Sequence, residues 1–136
     1  MNLTTFAPMI GELFTTHSTT MYLQDAYPMI QLNDPDPMGR FVVQLGDDGL
    51  VNWGIGQGDY LVFRNQGWPN ADRQLCFIQF GDEAILRIIP DLRATEIELV
   101  TANDNYAAIS THRNQFIVTG VCYDVLRAED APLIWM

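Results

Sequence analysis

The chain has 136 residues, of which 48% are hydrophobic and 11% aromatic, and its formal net charge is −10. A chain of this length and composition can bury a core as one domain, which excludes a disordered polypeptide. The apolar runs are far shorter than the roughly 18 residues that a membrane-spanning helix requires. The acidic balance opposes direct binding to nucleic acid or to anionic lipid. No signal peptide is evident at the N-terminus, so we expect a cytoplasmic protein without membrane contact.

Residues 1–35 are predicted to form an N-terminal arm with one or two short strands, of which Met29–Leu32 is the clearest. Residues 33–37 are a cluster of prolines, aspartates and asparagine that breaks regular structure. The boundary between the arm and a strand-rich body, which we place at residues 36–128, falls within this cluster.

The body is predicted to be all-β. Its apolar runs are short, rich in β-branched and aromatic residues, and bounded by turn residues. Gly81 and Asp82 are predicted to form a tight hairpin connection between two of these runs. The runs cover residues 41–45, 60–64, 75–80, 83–89, 96–100 and 116–126.

A glycine-rich block lies between the first two runs. It begins with Gly-Asp-Asp-Gly-Leu at residues 46–50 and ends with Gly54, Ile55, Gly58 and Asp59. Because glycine reaches backbone angles that other residues avoid, this block predicts a tight reversal at the edge of a sheet. We therefore predict that residues 47–58 form an exposed turn between two core strands.

Further landmarks follow in order: a hairpin strand at residues 85–88, an Asn-x-x-Tyr loop at residues 103–106, and a closing strand at residues 120–125. Together with the glycine block, these landmarks resemble the LexA/UmuD family of serine–lysine autoproteases over residues 41–127. The resemblance implies a compact all-β barrel or sandwich of short strands, like the C-terminal domain of those repressors. It also implies a nucleophilic serine in the turn and a lysine base in the hairpin strand.

Neither catalytic residue is present at the position that the resemblance gives it. The nucleophile falls on Asp48 or Gly49, depending on the alignment, and the base falls on Leu86. All seven basic residues of the chain are arginines, so it contains no lysine. The neighbouring Arg87 cannot serve as a base because a guanidinium stays protonated at physiological pH. We therefore predict a non-catalytic member of the family.

The self-cleavage site is lost as well. Residues 8–13 resemble the segment that precedes the cleaved Ala-Gly bond in repressors of this family. The two positions of that bond are Thr15 and Thr16 in this sequence.

Other candidate sites favour structural roles. His17 and His112 have no partners at metal-ligand spacing, and Cys76 and Cys122 lie in apolar runs typical of reduced core thiols. Trp53 and Trp68 are expected to pack in the core or line a groove. The one concentration of acidic residues near the turn comprises Asp47, Asp48 and Asp59. We expect these carboxylates to be solvated rather than to bind a metal, and we expect no cofactor.

The closing strand is predicted to carry a homodimer contact, as in the resembled family. The apolar tail at residues 129–136 either folds onto its own domain or binds a partner. The predicted interface residues are Phe116, Val118, Val121, Tyr123 and Val125.

These features favour a regulatory interaction module. Its expected partner is a LexA-like or phage repressor, or a translesion-polymerase accessory protein, in the DNA-damage response. Two alternatives stay open: a hydrolase with displaced chemistry that uses Asp48, and a structural homodimer within a larger complex.

Overall fold

The computed structural model describes residues 5–21, 29–32, 39–130 and 133–134. Over these ranges the chain is mainly β, as predicted, with three single-turn 3-10 helices at Val51–Trp53, Arg113–Gln115 and Ala128–Asp130 and no α-helix. In the part of the chain described, no helix is both long and apolar enough to traverse a bilayer. The strands are β1 (Thr5–Leu13), β2 (Thr19–Thr20), β3 (Met29–Leu32), β4 (Arg40–Leu45), β5 (Tyr60–Asn65), β6 (Gln74–Phe80), β7 (Glu83–Ile89), β8 (Ile97–Leu99), β9 (Ile109–Thr111), β10 (Ile117–Leu126) and β11 (Leu133–Ile134).

Nine strands form one curled sheet in the order β11-β3-β1-β4-β5-β10-β6-β7-β2, and β8 and β9 form a separate pair. The pairing of β1 with β4 is parallel, whereas the other neighbours in the sheet are antiparallel. The chain just after β1 also contacts β7, where the Leu86 N–H donates to the Phe14 carbonyl at 3.0 Å. This contact curls the sheet into a half-barrel, which agrees with the predicted barrel-like fold.

The packing of the core explains why strands of the body could be predicted from the sequence. Strands β6 and β7 are buried on both faces, since alternate residues enter different apolar clusters. A strand covered on both faces has a continuous apolar run. The hairpin at Gly81 is confirmed: Phe80 pairs with Glu83, and Gly81 has a φ of 63°.

Three phenylalanines fill the centre of the main cluster. The ring of Phe41 stacks on Phe63 at 5.3 Å and meets the edge of Phe77 at 5.5 Å. Gly120 in β10 makes room for this arrangement, because a Cβ there would lie 2.6 Å from Phe41 Cζ.

The N-terminal segment is part of the sheet. Strand β1 lies between β3 and β4, and its residues Ala7 and Leu13 are buried. The predicted arm therefore includes a nine-residue strand, longer than the short strands expected. Pro8 and Gly11 obscured it, because both residues are unfavourable inside strands. The predicted breaker at residues 33–37 lies outside the described residues.

In the tail, residues 129–130 belong to the 3-10 turn Ala128–Asp130, and Leu133–Ile134 form β11, whose backbone pairs with β3. At these two residues the chain folds onto its own sheet, which is the first of the two alternatives. The remaining tail residues at 131–132 and 135–136 lie outside the described ranges.

Candidate functional site

The glycine block connects β4 to β5 as a compact turn, as predicted. Gly54 and Gly58 have φ angles of 74° and 93°, which favour glycine. Leu50 and Ile55 are buried in the main core cluster, so two apolar side chains anchor the turn. Trp53, by contrast, is 45% exposed.

Asp59 closes the turn. Its carboxylate accepts hydrogen bonds from the backbone N–H groups of Gly56 and Ala128 at 2.9 and 3.1 Å and from Arg127 Nη1 at 2.9 Å. Burial by itself raises the pKa of Asp59, but these hydrogen bonds and the Arg127 charge outweigh it, so the pKa lies below its usual value. The Gly-Asp end of the motif therefore fixes the turn to the end of β10.

The start of the turn binds the segment that follows β1. Asp47 accepts hydrogen bonds from the backbone N–H and the hydroxyl of both Thr15 and Thr16, at 2.8 to 3.1 Å. It also accepts one from the Gly49 N–H at 3.0 Å. Burial raises the pKa of Asp47, yet these donors together hold it below its usual value. The structure thus brings together the region predicted to match the nucleophile and the segment predicted to match the cleavage site.

Thr15 fills the space beside Gly49. A Cβ added at Gly49 would overlap Thr15 Oγ1 and lie 2.6 Å from Thr15 Cβ. Thr15 itself is completely buried. In this conformation, position 49 has neither a side chain nor room for one.

Asp48, the other candidate position, contacts the predicted Asn-x-x-Tyr loop. The Tyr106 hydroxyl donates to the Asp48 carboxylate, and Asn103 Nδ2 donates to the Asp48 carbonyl at 3.0 Å. The hydrogen bond to Asp48 raises the pKa of Tyr106. The start of the glycine block and the Asn-x-x-Tyr loop therefore contact each other at the turn.

Leu86, the predicted base position, is fully buried in the apolar core. The side chain of its neighbour Arg87 is bonded to backbone carbonyls: Nε donates to Thr15 O at 2.7 Å, and Nη1 donates to Leu99 O and Ala107 O at 2.9 and 3.0 Å. Burial lowers the pKa of Arg87, whereas the Asp47 charge opposes that shift. Arg87 thus acts as a donor that holds the Thr15 carbonyl, while Asp47 holds the Thr15 N–H.

We call this arrangement of Thr15, Asp47, Gly49 and Arg87 the threonine cleft. The sequence did not reveal that Thr15 fills this space or that Arg87 binds the Thr15 carbonyl. The one available signal was a glycine at position 49 together with a threonine at the position predicted to match the cleavage site.

The other candidate residues are not part of the threonine cleft, although His17 contacts Thr16 Oγ1 through Nδ1 at 2.9 Å. His17 stacks on Phe14 with ring centroids 4.4 Å apart. His112 precedes the 3-10 turn before β10. The described residues contain no group of three metal-ligating side chains, and Asp47 and Asp59 belong to separate hydrogen-bond networks. Cys76 and Cys122 are free thiols, and burial raises the pKa of each to about 12.

Only some of the residues predicted to form a dimer contact are exposed in the structure. Phe116, Val118 and Val121 are buried in the core of their own chain, so they are not available to a partner. Tyr123 is partly exposed and Val125 half-buried. Strand β10 pairs with β6 over Ile117–Val121 and with β5 over Gly120–Leu126, so each ladder covers only part of one edge of the strand.

The fold places the chain among the all-β half-barrels, and the comparison with known families gives its family. The family model described as Peptidase S24-like matches residues 10–123, which is most of the chain. The chain belongs to this family, which includes the LexA/UmuD type. No curated protein sequence matches the chain.

Proposed function

We propose that this protein is a non-catalytic member of its family that works as a protein-interaction module. The observation that carries the proposal is the threonine cleft, in which Thr15 occupies the space that a side chain at Gly49 would need. An attacking hydroxyl, a base that can lose its proton and a substrate bond are the parts that such a dyad requires. At the positions that the resemblance assigns, the chain has Asp48 or Gly49 for the hydroxyl, Leu86 for the base, and Thr15-Thr16 in place of Ala-Gly.

The geometry does not support the alternative of a hydrolase that uses Asp48. An acid that activates water must be within hydrogen-bond reach of that water and of the scissile bond. The carboxylate of Asp48 instead accepts the Tyr106 hydroxyl.

The proposed partner is a LexA-like or phage repressor, or a translesion-polymerase accessory protein, in the DNA-damage response. Support comes from membership of the family, the retained scaffold and the acidic net charge, which complements a basic partner surface. A homodimer, or a mixed dimer with the partner, would use exposed residues of β10, such as Tyr123 or Ile117, which is 65% exposed.

The first test is a cleavage assay. The purified protein is incubated at alkaline pH or with activated RecA filament, and its intact mass is followed by mass spectrometry. We expect one undigested species. A fragment cut within residues 10–25, and abolished by Asp48→Ala, would overturn the proposal in favour of the enzyme.

The second test concerns the partner. We expect the protein to lower a cognate repressor's occupancy of its operator in a gel-shift titration without shifting DNA itself. Charge-driven binding weakens with salt, because the screening length falls to about 8 Å at physiological ionic strength. Exchange of dimer partners through β10 should be nearly insensitive to salt, and this is the form we favour. A direct shift of bare DNA would contradict both forms.

A further inference from the structure

The glycine turn contains a chemically labile dipeptide. Asp48–Gly49 is the one Asp-Gly pair in the sequence, which has no Asn-Gly pair. In such a pair the backbone nitrogen of the glycine can attack Cγ of the aspartate, because the glycine has no side chain that shields the nitrogen. A new Cγ–N bond forms, a water molecule leaves, and the product is a five-membered succinimide ring.

Opening of this ring can rearrange the backbone. Hydrolysis at the main-chain carbonyl of the aspartate breaks the original peptide bond and returns the water molecule. The chain then continues through Cβ and Cγ, which is the isoaspartate form. The overall reaction is an isomerisation that consumes no co-reactant, so the dipeptide carries everything that the chemistry needs.

In the structure, the attacking nitrogen is held by Asp47. The Gly49 N–H donates to Asp47 Oδ1 at 3.0 Å, and the Gly49 carbonyl accepts a hydrogen bond from the Ala102 N–H at 2.7 Å. An intramolecular attack requires the reacting atoms to be aligned at about 3 to 3.5 Å. Turning Gly49 so that its nitrogen reaches Asp48 Cγ disrupts these two bonds.

The group that would be attacked is held by the Asn-x-x-Tyr loop. The Tyr106 hydroxyl donates to the Asp48 carboxylate, and Asn103 Nδ2 donates to the Asp48 carbonyl at 3.0 Å. The same carbonyl accepts the Val51 N–H at 3.3 Å. The loop and the turn therefore restrain both the side chain and the main chain of Asp48.

The fold requires the glycine that makes this pair labile. A Cβ at position 49 would overlap Thr15 Oγ1, and Thr15 is completely buried. A larger residue at position 49 would shield the nitrogen, but it would also displace Thr15 from the threonine cleft. The chain therefore keeps the labile pair and restrains it with hydrogen bonds.

We propose that Asp48–Gly49 is a latent isomerisation site, restrained in the folded chain by Asp47 and by the loop that carries Asn103 and Tyr106. The reaction proceeds when the turn opens locally. This modification is separate from the proposed function and does not depend on the loss of cleavage.

Isomerisation at this site would open the threonine cleft. Isoaspartate lengthens the main chain by one methylene and leaves the former main-chain carboxyl as a side group. Gly49 has no spare room beside Thr15, and the next residue, Leu50, is buried in the main core cluster. The longer turn therefore does not fit between these contacts, and the modified chain releases Thr15.

The test follows isoaspartate formation in the full chain by mass spectrometry. The protein is incubated at neutral pH, and electron-transfer fragmentation distinguishes aspartate from isoaspartate at position 48. We expect the folded wild type to isomerise at least about tenfold more slowly than the same chain unfolded in urea, because the folded site reacts only while open. Tyr106→Phe should isomerise about fivefold faster than folded wild type, as expected for one lost hydrogen bond.

Two variants serve as controls. Tyr123→Phe removes the hydroxyl of a tyrosine whose ring contacts Arg40 and Arg64, and it should isomerise at the wild-type rate. Asp48→Glu should give no isomer at position 48, because its longer side chain closes the ring much less readily. Circular dichroism checks that each variant is folded, and if Tyr106→Phe is not, the comparison of folded with unfolded wild type still decides.

Equal rates in folded and unfolded wild type would overturn the proposal, as would a pair that stays unmodified in urea. A folded Tyr106→Phe that is no faster than wild type would contradict the restraint by the loop. Hydrogen exchange at Thr15 and Thr16 should be faster in the isomerised fraction, and unchanged exchange would overturn the opening of the cleft. Isomerisation leaves the mass of the chain unchanged, whereas self-cleavage yields fragments, so the two proposals fail independently.

Discussion

The two parts of the glycine turn differ in how far their side chains are used by the fold. In the threonine cleft at its start, Asp47 and Arg87 are saturated by the chain's own Thr15 and neighbouring backbone. At its tip, Val51 and Trp53 are 52% and 45% exposed, and neither belongs to a core cluster. Hydrogen-bonding groups that are satisfied inside the fold contribute stability, whereas side chains at the surface contribute little. Substitutions in the cleft should therefore cost more stability than substitutions at the tip.

The largest loss of stability is expected when Arg87 is replaced. We expect Arg87→Met to lower the free energy of unfolding by about 3 kcal/mol or more, because each buried carbonyl left without a donor costs about 1 kcal/mol or more. Urea denaturation measures the change. Arg93→Met, at an exposed position, should stay within about 0.5 kcal/mol of wild type. A loss for Arg87→Met as small as that of the control would mean that the clamp is dispensable.

Introducing a hydroxyl side chain at Gly49 tests whether Thr15 fills the space beside that residue. We expect Gly49→Ser to cost about 1–3 kcal/mol, because the new side chain overlaps Thr15 in a packed site. The variant should still not cleave itself. Adding Thr15→Gly should recover part of the loss, which a double-mutant cycle detects.

Gly56→Ser is the matched control in the same turn, since a Cβ there meets only Asp59 Oδ2 at 3.8 Å. Equal losses for the two serine variants would show that overlap with Thr15 is not the cause.

Asp47 gives the cleft a dependence on pH. Its folded pKa is lowered from 3.8, so the stability it contributes is complete well above that value and is lost as pH falls through the folded pKa. We expect Asp47→Asn to cost about 1.5–3 kcal/mol at neutral pH, the range for hydrogen bonds to a charged group. The difference from wild type should shrink in acid.

Urea denaturation from pH 7 to pH 3 measures this trend. Glu96→Gln, at an exposed position, should follow the wild-type curve throughout. A constant difference between Asp47→Asn and wild type at every pH would contradict the role of the ionised carboxylate.

The smallest effect is expected at the tip of the turn. Trp53→Ala should change the free energy of unfolding by about 1 kcal/mol or less, since the side chain is 45% exposed and belongs to none of the core clusters. Thermal unfolding followed by circular dichroism is the measurement, with Val51→Ala as the exposed neighbour for comparison. A loss of several kcal/mol would mean that Trp53 is a packing residue.

Much of the fold could be predicted from the sequence because strands such as β6 and β7 are buried on both faces and have uninterrupted apolar runs. Strand β1 could not, since Pro8 and Gly11 interrupt its pattern and its partners β3 and β4 are set by tertiary packing. The turn was predictable because Gly54 and Gly58 have the left-handed angles that glycine allows.

The contents of the candidate site were less predictable than its location. The sequence shows that Gly49 lacks a side chain, but not that Thr15 occupies the space beside it. Arg87 was considered only as a failed base, because its three carbonyl partners come from segments that meet only in the folded chain. Likewise, alternation in the closing strand did not reveal that Phe116, Val118 and Val121 face their own core.

The position of β1 in the sheet has a consequence for any event that severs the chain after it. In the described sheet, β3 and β11 are joined to the remaining strands through β1 alone. A break between Thr15 and Thr16 would therefore separate the polypeptide into two pieces that share one sheet, with the shorter piece held by ladders on both of its edges. Such a split protein could reassemble from its fragments, or exchange its first strand with another copy. In this fold, severing the backbone and releasing the N-terminal segment are two separate events.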